Sequence, residues 1–227
     1  MRQIVLDTET TGLSPQGGDR LVEIGCLEII NQVATGKTFH KYINPERDVP
    51  IEAFNVHGLS AERLSTEPIF AEIVDEFLEF VQSDQLIIHN ASFDMGFINN
   101  ELKMTGRPLI EAGRAIDTLL IARKRFPGAQ NNLDALCRRF GIDNSNRIKH
   151  GALLDAELLA DVYLELMGGR QPGLVLDANL DRKTNEVEVQ VRCKPRSVSL
   201  PPRLTEGERE AHEVFVATLA EGGLWSK

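Results

Sequence analysis

The sequence has little of several features that define whole classes of proteins. It contains three cysteines and one tryptophan among 227 residues. Cys26, Cys137 and Cys193 are too widely scattered for a metal site or a disulfide framework, so we expect a reducing, cytoplasmic environment. No apolar run approaches the roughly 18 to 20 residues of a membrane span, and the early charge at Asp7 argues against a signal peptide. We therefore expect no membrane partner.

An excess of positive charge is also lacking, since the formal net charge is −9, which at first argues against a nucleic-acid partner. The stretch 101–150 reverses this balance, with ten basic residues against five acidic ones and a local net charge of +5. Such a run is often only a solvated surface, but this one lies between two acidic motifs. The sequence thus leaves phosphate binding open.

The hydrophobic pattern predicts one α/β domain followed by a separate tail. Buried strands are predicted at 3–7, 20–32, 37–45 and 85–90. Helices are predicted at 68–84, 92–106 with Ser92 as N-cap, 131–141 and 152–169. Three successive strands followed by alternating helices and strands indicate a sheet with helices on its faces.

The pattern changes after residue 168, which gives three predicted regions. Residues 1–168 form the folded domain, and 169–204, rich in Pro, Gly and polar residues, form a flexible linker. Val187, Val189 and Val191 alternate with polar residues, so a solitary strand within the linker stays open. Residues 205–227 return to a helical pattern and form a short tail.

Two carboxylates mark the end of the first strand. Asp7 and Glu9 project to one face because side chains alternate along a strand. They repel each other unless a cation lies between them, and Mg²⁺ or Mn²⁺ suits oxygen ligands. An Asp-x-Glu pair on its own is common, so this pair alone does not establish a metal site.

Three more residues could join that pair. Asp94 follows the strand 85–90, and His150 and Asp155 flank the start of the helix 152–169. Taken singly, the acids could serve only as first-turn helix residues. Asp161 is rejected as a further member, because six residues place it on another face of the helix.

Together these residues resemble the DEDD superfamily of 3′→5′ exonucleases. Asp7 and Glu9 match its first motif, Asp94 its second, and the His-x-Ala-x-x-Asp spacing of His150 and Asp155 its third. Gly151 stands where the alternative motif requires tyrosine, so the resemblance is to the histidine branch. It implies a ribonuclease-H-like mixed sheet flanked by helices.

The resemblance also implies a mechanism with two divalent metal ions, Mg²⁺ or Mn²⁺. Asp7 would bridge both ions, Glu9 and Asp155 would complete the first, and Asp94 would act through water. His150 would be the general base. The residues expected to contact the substrate are Asp7, Glu9, Thr10, His57, Phe93 and Asp155.

Further segments resemble the proofreading subunits of bacterial replicative DNA polymerases. The segment NVHGLS at 55–60 resembles their pocket for the 3′-terminal nucleotide, with His57 in the lining, and Phe93 would form an apolar wall. The tail 205–227 resembles the segment that docks on the alpha subunit of the polymerase. QPGLVL at 171–176 resembles peptides that bind the sliding clamp, although it lacks an aromatic end.

The leading hypothesis is therefore a proofreading exonuclease that acts on a single-stranded or frayed DNA 3′ end and releases deoxynucleoside monophosphates. Three alternatives stay open. These are a free-standing exonuclease that trims RNA or DNA, a non-catalytic polymerase adaptor, and an endonuclease on a similar sheet.

Overall fold

The computed structural model describes residues 1–147, 149–169 and 205–218. The chain divides into two compact units, Met1–Val175 and Leu176–Lys227. In the first unit the strands are β1 (Arg2–Thr10), β2 (Leu21–Ile30), β3 (Val33–Tyr42), β4 (Gln85–Ile88) and β5 (Ala115–Asp117). Its α-helices are α1 (Ile51–His57), α2 (Ala61–Leu64), α3 (Phe70–Val81), α4 (Ala91–Met104), α5 (Thr118–Arg125), α6 (Leu133–Phe140) and α7 (Ala152–Leu166).

The five strands form one mixed sheet in the order β3-β2-β1-β4-β5. β1 pairs antiparallel with β2 and parallel with β4, which places β1 at the centre. The carboxyl ends of β1, β4 and β5 therefore lie at the same edge of the sheet. In open α/β sheets this edge is where ligands bind.

A hydrophobic core covers each face of the sheet. One face packs on α3 and α4 through Ile4, Leu6 and Phe77, among other residues. The opposite face packs on α6 and α7 through Val5 and Leu159. Because β1 alternates between these cores, the residues that follow Val5 at intervals of two point toward α7.

The mixed sheet with flanking helices confirms the predicted fold class, but several details of the prediction were wrong. β1 continues to Thr10, beyond the predicted end at residue 7, so Glu9 lies within the strand. β3 begins at Val33 because residues 31 and 32, both with positive φ, form a tight hairpin turn. Helices α1, α2 and α5 and the short strand β5 were not predicted.

The N-cap assigned to Ser92 was also wrong. α4 begins at Ala91 after Asn90. The backbone N–H groups of Asn90 and Ala91 donate to the carboxylate of Asp117 at 3.2 and 3.1 Å. A distant side chain at the end of β5 thus supplies the cap, which local sequence does not reveal.

The described part of the second unit is one helix, α8 (Glu206–Thr218). Thr205 and Glu208 cap it reciprocally, because the Thr205 N–H donates to Glu208 Oε2 at 2.8 Å and the Glu208 N–H donates to Thr205 Oγ1 at 3.4 Å. Val214 and Phe215 lie on its surface, 67% and 61% exposed. Among the described residues, no helix combines the length and the hydrophobicity that a membrane span requires.

Candidate active site

The first turn of α7 packs unusually closely on the centre of the sheet. Asp7 in β1 pairs with Gly25 in β2. A Cβ atom at Gly25 would lie 2.3 Å from the backbone nitrogen of Leu153 and 2.4 Å from the carbonyl carbon of Ala152. Glycine therefore allows α7 to approach the sheet, which brings Asp155 beside Asp7.

Four carboxylates line one cleft at the carboxyl edge of the sheet. Asp7, Glu9, Asp94 and Asp155 share this cleft, of about 360 Å³, with His150. Asp7 and Glu9 follow Val5 on the face toward α7, whereas the side chain of Thr8 donates to Asp94 Oδ1 on α4 at 2.6 Å. The structure thus brings together all five residues of the predicted catalytic and metal-binding set.

The charge in this cleft is largely uncompensated. Burial raises the pKa of Asp7 well above its usual range, and repulsion from Asp94, Asp155 and Glu9 adds to the effect. Burial, with repulsion from Asp155, raises the pKa of Glu9 to about 8. Burial likewise raises the pKa of Asp94 to about 7 despite the hydrogen bond from Thr8. These carboxylates therefore favour either bound protons or a bound cation.

Asp155 differs because it has a cationic partner. Burial would raise its pKa, but hydrogen bonds from His150 and Arg147 hold it below the usual value. Arg147 donates to both carboxylate oxygens and also to Asp134 Oδ1 at 2.7 Å. The sequence places Arg147 in the basic stretch 101–150, just before the His150 motif. It does not predict that Arg147 contacts Asp155.

His150 lines the cleft with 45% of its side chain exposed. Its Nδ1 is 3.3 Å from Asp155 Oδ2 and 2.8 Å from Arg147 Nη2. Because a guanidinium nitrogen can only donate, Nδ1 accepts from Arg147 in this arrangement, and the proton of the neutral ring lies on Nε2. A general base that acts at Nε2 requires the other tautomer, in which Nδ1 donates to Asp155 Oδ2 and no longer accepts from Arg147.

The donor set fits a hard divalent cation. Ligand atoms of Glu9, His150 and Asp155 lie within 4.8 Å of one another, and Asp7 and Asp94 line the same cleft. Oxygen-rich sites of this kind suit Mg²⁺ or Mn²⁺. A cation here would offset the burial and the mutual repulsion that raise the pKa values of Asp7 and Glu9.

A second cleft, of about 470 Å³, adjoins the first, and both are lined by Thr8, Glu9 and Phe93. Thr10 and His57 also line it, which brings the predicted substrate residues together. His57 is buried, its Nδ1 accepts the N–H of Leu59 at 3.0 Å, and its Nε2 has no hydrogen-bond partner among the described residues. Since Nδ1 accepts, the proton of the neutral ring lies on Nε2, an atom that is shielded from solvent in this structure.

Apolar residues that the sequence did not single out complete the second cleft. Leu13, 84% exposed, and Val56 both line it. The Gly12 turn in front of Leu13 is tight, since a Cβ atom at Gly12 would lie 2.3 Å from the carboxylate of Asp19. The exposure of Leu13 cannot be predicted from the sequence. The sequence indicates only the turn at Gly12 that precedes it.

The remaining predictions lie elsewhere or outside the described residues. Asp161, rejected above, is exposed and lines a separate cleft with Asn31 and Val33. Cys26 and Cys137 are buried free thiols, as expected of core residues, and burial raises the pKa of both. Cys193, the peptide 171–176, the strand around 187–191 and the end of the tail fall outside the described residues.

The sequence matches known proteins along almost its whole length. A model of the exonuclease family matches residues 4–163. A DNA polymerase III subunit epsilon from Rickettsia conorii is 50% identical over 222 residues, covering 96% of this chain and 96% of the relative. Its counterpart from Escherichia coli K12 is 41% identical over 235 residues, covering 99% and 97%.

Solved structures share the ribonuclease-H-like fold. Exonuclease X in complex with 5′-overhanging duplex DNA matches with a TM-score of 0.58 at 22% identity, over 73% of this chain and 90% of that chain. Escherichia coli exonuclease I in complex with a dT13 oligonucleotide matches with a TM-score of 0.63 at 18% identity, over 75% and 42%. At these identities the likeness concerns the fold.

Proposed function

Because the chain belongs to the exonuclease family, and within it to the DNA polymerase III epsilon subunits, we propose that it is the proofreading 3′→5′ exonuclease of a replicative DNA polymerase. The observation that carries this proposal is the meeting of four carboxylates and His150 in one cleft beside a second, partly apolar cleft. The first cleft suits phosphate chemistry, and the second suits a terminal nucleotide.

Asp7, Glu9, Asp94 and Asp155 would hold two divalent metal ions, Mg²⁺ or Mn²⁺. Bound there, the ions would generate a hydroxide nucleophile from water and neutralise charge that develops on the phosphate. Arg147 holds both oxygens of Asp155, so it fixes the orientation of this carboxylate toward the cleft. In this scheme Asp94 is oriented by Thr8.

In the proposed reaction, water adds to the phosphorus of the last phosphodiester bond. The bond from phosphorus to the 3′ oxygen of the penultimate nucleotide breaks, this oxygen takes a proton from solvent, and the terminal nucleotide leaves as a 5′-monophosphate. His150 accepts the proton of the attacking water at Nε2 once its Nδ1 has turned from Arg147 and donates to Asp155, which then orients the ring.

The second cleft would hold the departing nucleotide. Burial lowers the pKa of His57, so its ring is neutral and its unpartnered Nε2–H can donate to a nucleotide oxygen. Phe93 packs against Phe97 with ring centroids 5.0 Å apart, which fixes it as an apolar wall. Apolar contacts accept any base, which a proofreading enzyme needs.

The regions beyond the catalytic domain would provide attachment. We infer that 205–227 binds the alpha subunit of the polymerase, and the exposed Val214 and Phe215 of α8 support this assignment. Residues 169–204 would be a linker, and 171–176 would bind the sliding clamp. Attachment of this kind raises the local concentration of the nuclease at the primer end.

A primer with a matched or mismatched 3′ end tests the proposed function. The purified full chain, with Mg²⁺ and at subsaturating concentration, should remove a mismatched nucleotide faster. The chain has to admit an unpaired end, and the unpairing cost of a few kcal/mol is smallest at a mismatch. Equal rates on both primers would contradict proofreading, and internal cleavage of a circular single strand would indicate an endonuclease.

A further inference from the structure

A third cleft continues the trough beyond the carboxylates. It has a volume of about 590 Å³ and shares His89 and Asn132 with the carboxylate cleft. The carboxylate cleft in turn shares Thr8, Glu9 and Phe93 with the cleft proposed for the terminal nucleotide. The three clefts therefore follow one another along the carboxyl edge of the sheet, with the carboxylates in the middle.

The lining of the third cleft suits a polyanion. It consists of His89, Asn90, Leu119, Arg123, Asn131 and Asn132, together with Gly128 and Ala129. This lining includes one cationic side chain and four neutral polar ones but no carboxylate. The neighbouring carboxylate cleft is the opposite case, because its acidic side chains favour a bound cation, whereas the third cleft carries the cationic side chain of Arg123.

The loop that forms the far wall of the third cleft is held in place. Asn131 is buried, and its Nδ2 donates to the carbonyl oxygens of Phe126 and Ala129 at 3.2 and 2.9 Å. The guanidinium of Arg139 donates to the Gln130 carbonyl at 3.1 Å. On the near wall, His89 Nδ1 lies 2.9 Å from the hydroxyl of Thr118. The cleft is thus formed before any ligand arrives.

Most basic residues of the stretch 101–150 already have structural partners. Arg125 donates to the carbonyls of Glu165 and Leu166, and Arg114 donates to those of Val81 and Asp84. Arg123 is exposed and makes no hydrogen bond or ion pair with another residue in the described part of the chain. Its guanidinium is therefore available to a ligand.

We propose that this third cleft binds the DNA strand on the 5′ side of the scissile bond, with Arg123 contacting a backbone phosphate. The inference rests on the proposed function, because it is the position of the terminal nucleotide that assigns the opposite end of the trough to the upstream strand. Contacts to phosphate hold any sequence equally well. The site would therefore fix the position of the strand without selecting its bases.

The test compares Arg123→Glu with Lys124→Glu. Lys124 is the next residue of α5, is also exposed and does not line the cleft, so it controls for net charge. Two substrates are needed. Oligo(dT) of two to eight nucleotides extends into the third cleft, whereas the p-nitrophenyl ester of thymidine 5′-monophosphate supplies only the terminal nucleotide and a leaving group. Arg123→Gln provides a milder variant, and thermal melting checks folding.

We expect Arg123→Glu to lower kcat/KM on the longer oligonucleotides by about tenfold, the usual worth of a charge-assisted hydrogen bond. The loss on the ester should be at most about twofold by the same reasoning. A plot of log kcat/KM against log salt concentration should become less steep, and its slope should change by about 0.7 for the one lost phosphate contact. Lys124→Glu should match the wild type on both substrates.

The outcomes separate the two proposals. If the wild type hydrolyses neither substrate, the proposed function fails. If the wild type is active and the two variants behave alike on long oligonucleotides, the upstream-strand site is wrong. Equal loss on ester and oligonucleotide would also overturn it, because Arg123 would then act on the reacting centre.

Discussion

Arg147 holds Asp155 through two parallel hydrogen bonds, from Nε to Oδ1 at 2.5 Å and from Nη2 to Oδ2 at 2.6 Å. Asp155 is only 2% exposed, so the guanidinium is the main compensation for a buried charge. A metal ion at Asp155 has to share an oxygen with Arg147 or displace one of these bonds. The two cations therefore interact through the same carboxylate.

Arg147→Ala should consequently destabilise the metal-free protein much more than the metal-bound protein. Leaving a buried carboxylate without its partner costs about 3–5 kcal/mol, and a divalent ion can recover part of this loss. Chemical denaturation in EDTA and in excess Mg²⁺ measures the two free energies of unfolding. Arg138→Ala, which removes an exposed arginine on α6, is the control. Equal destabilisation in both buffers would show that Arg147 and the metal act independently.

The metal-free protein should lose stability as the pH rises. The pKa values of Glu9 and Asp94 are raised to about 8 and about 7, so the folded state binds these protons more tightly than the unfolded state. Their contribution is fully present below about pH 4, the range of the unfolded carboxyls, and is lost as the pH rises to about 8. Unfolding free energy in EDTA should fall between pH 5.5 and 8.5.

Asp7→Asn tests the origin of this pH dependence, because it removes one carboxylate charge from the cleft and keeps the shape of the side chain. It should melt at a higher temperature than the wild type in EDTA at pH 8.5 and should lose hydrolysis in Mg²⁺. A variant that keeps near-normal nuclease activity would remove Asp7 from the mechanism. A variant with the same pH slope as the wild type would show that repulsion at Asp7 is unimportant.

His150→Ala should slow hydrolysis by roughly 10²–10⁴-fold, the range expected for loss of a general base. Mg²⁺ affinity, measured by calorimetry, should change little if the histidine handles only the proton. The position of His150 near Glu9 and Asp155 makes this a demanding test, because these three residues could also hold an ion together. A collapse of metal affinity would make His150 a ligand.

Gly25→Ala should damage the site from a distance. The added Cβ atom would collide with the backbone of α7 at Ala152 and Leu153, so the helix has to shift and Asp155 has to move away from Asp7. We expect destabilisation of about 1–3 kcal/mol and a loss of metal affinity. Gly96→Ala in α4 is the control, since the nearest atom to its Cβ is 3.8 Å away in Pro15. Unchanged metal affinity in Gly25→Ala would contradict this role.

The sequence was sufficient for the carboxylates but not for what surrounds them. Asp7, Glu9, Asp94, His150 and Asp155 follow from spacing, strand periodicity and family resemblance. The roles of Gly25 and Asp117 depend on contacts between distant segments, β2 with α7 and β5 with α4, so no local pattern reveals them. The sequence shows Arg123 and Arg147 as members of one basic stretch. Only the structure shows that Arg147 has a carboxylate partner and that Arg123 has none among the described residues.

Residues 205–227 should bind the polymerase and should be dispensable for hydrolysis. Truncation after Pro202 should leave the exonuclease rate on a short single strand unchanged, because every residue proposed for the reaction lies in the first unit. The truncated chain should no longer co-elute with the polymerase alpha subunit. If it still co-elutes, the attachment lies elsewhere.

A point variant tests whether the apolar surface of α8 makes the contact, which truncation of the whole segment cannot show. Phe215→Asp removes a large exposed apolar side chain from α8, and buried aromatic residues contribute strongly to interfaces. It should weaken co-elution at unchanged nuclease rate. Arg209→Ala, about 120° around the same helix from Phe215 at 3.6 residues per turn, should not. Equal binding by both variants would mean that the apolar face of α8 is not the contact, because of the two substituted residues Phe215 alone lies on that face.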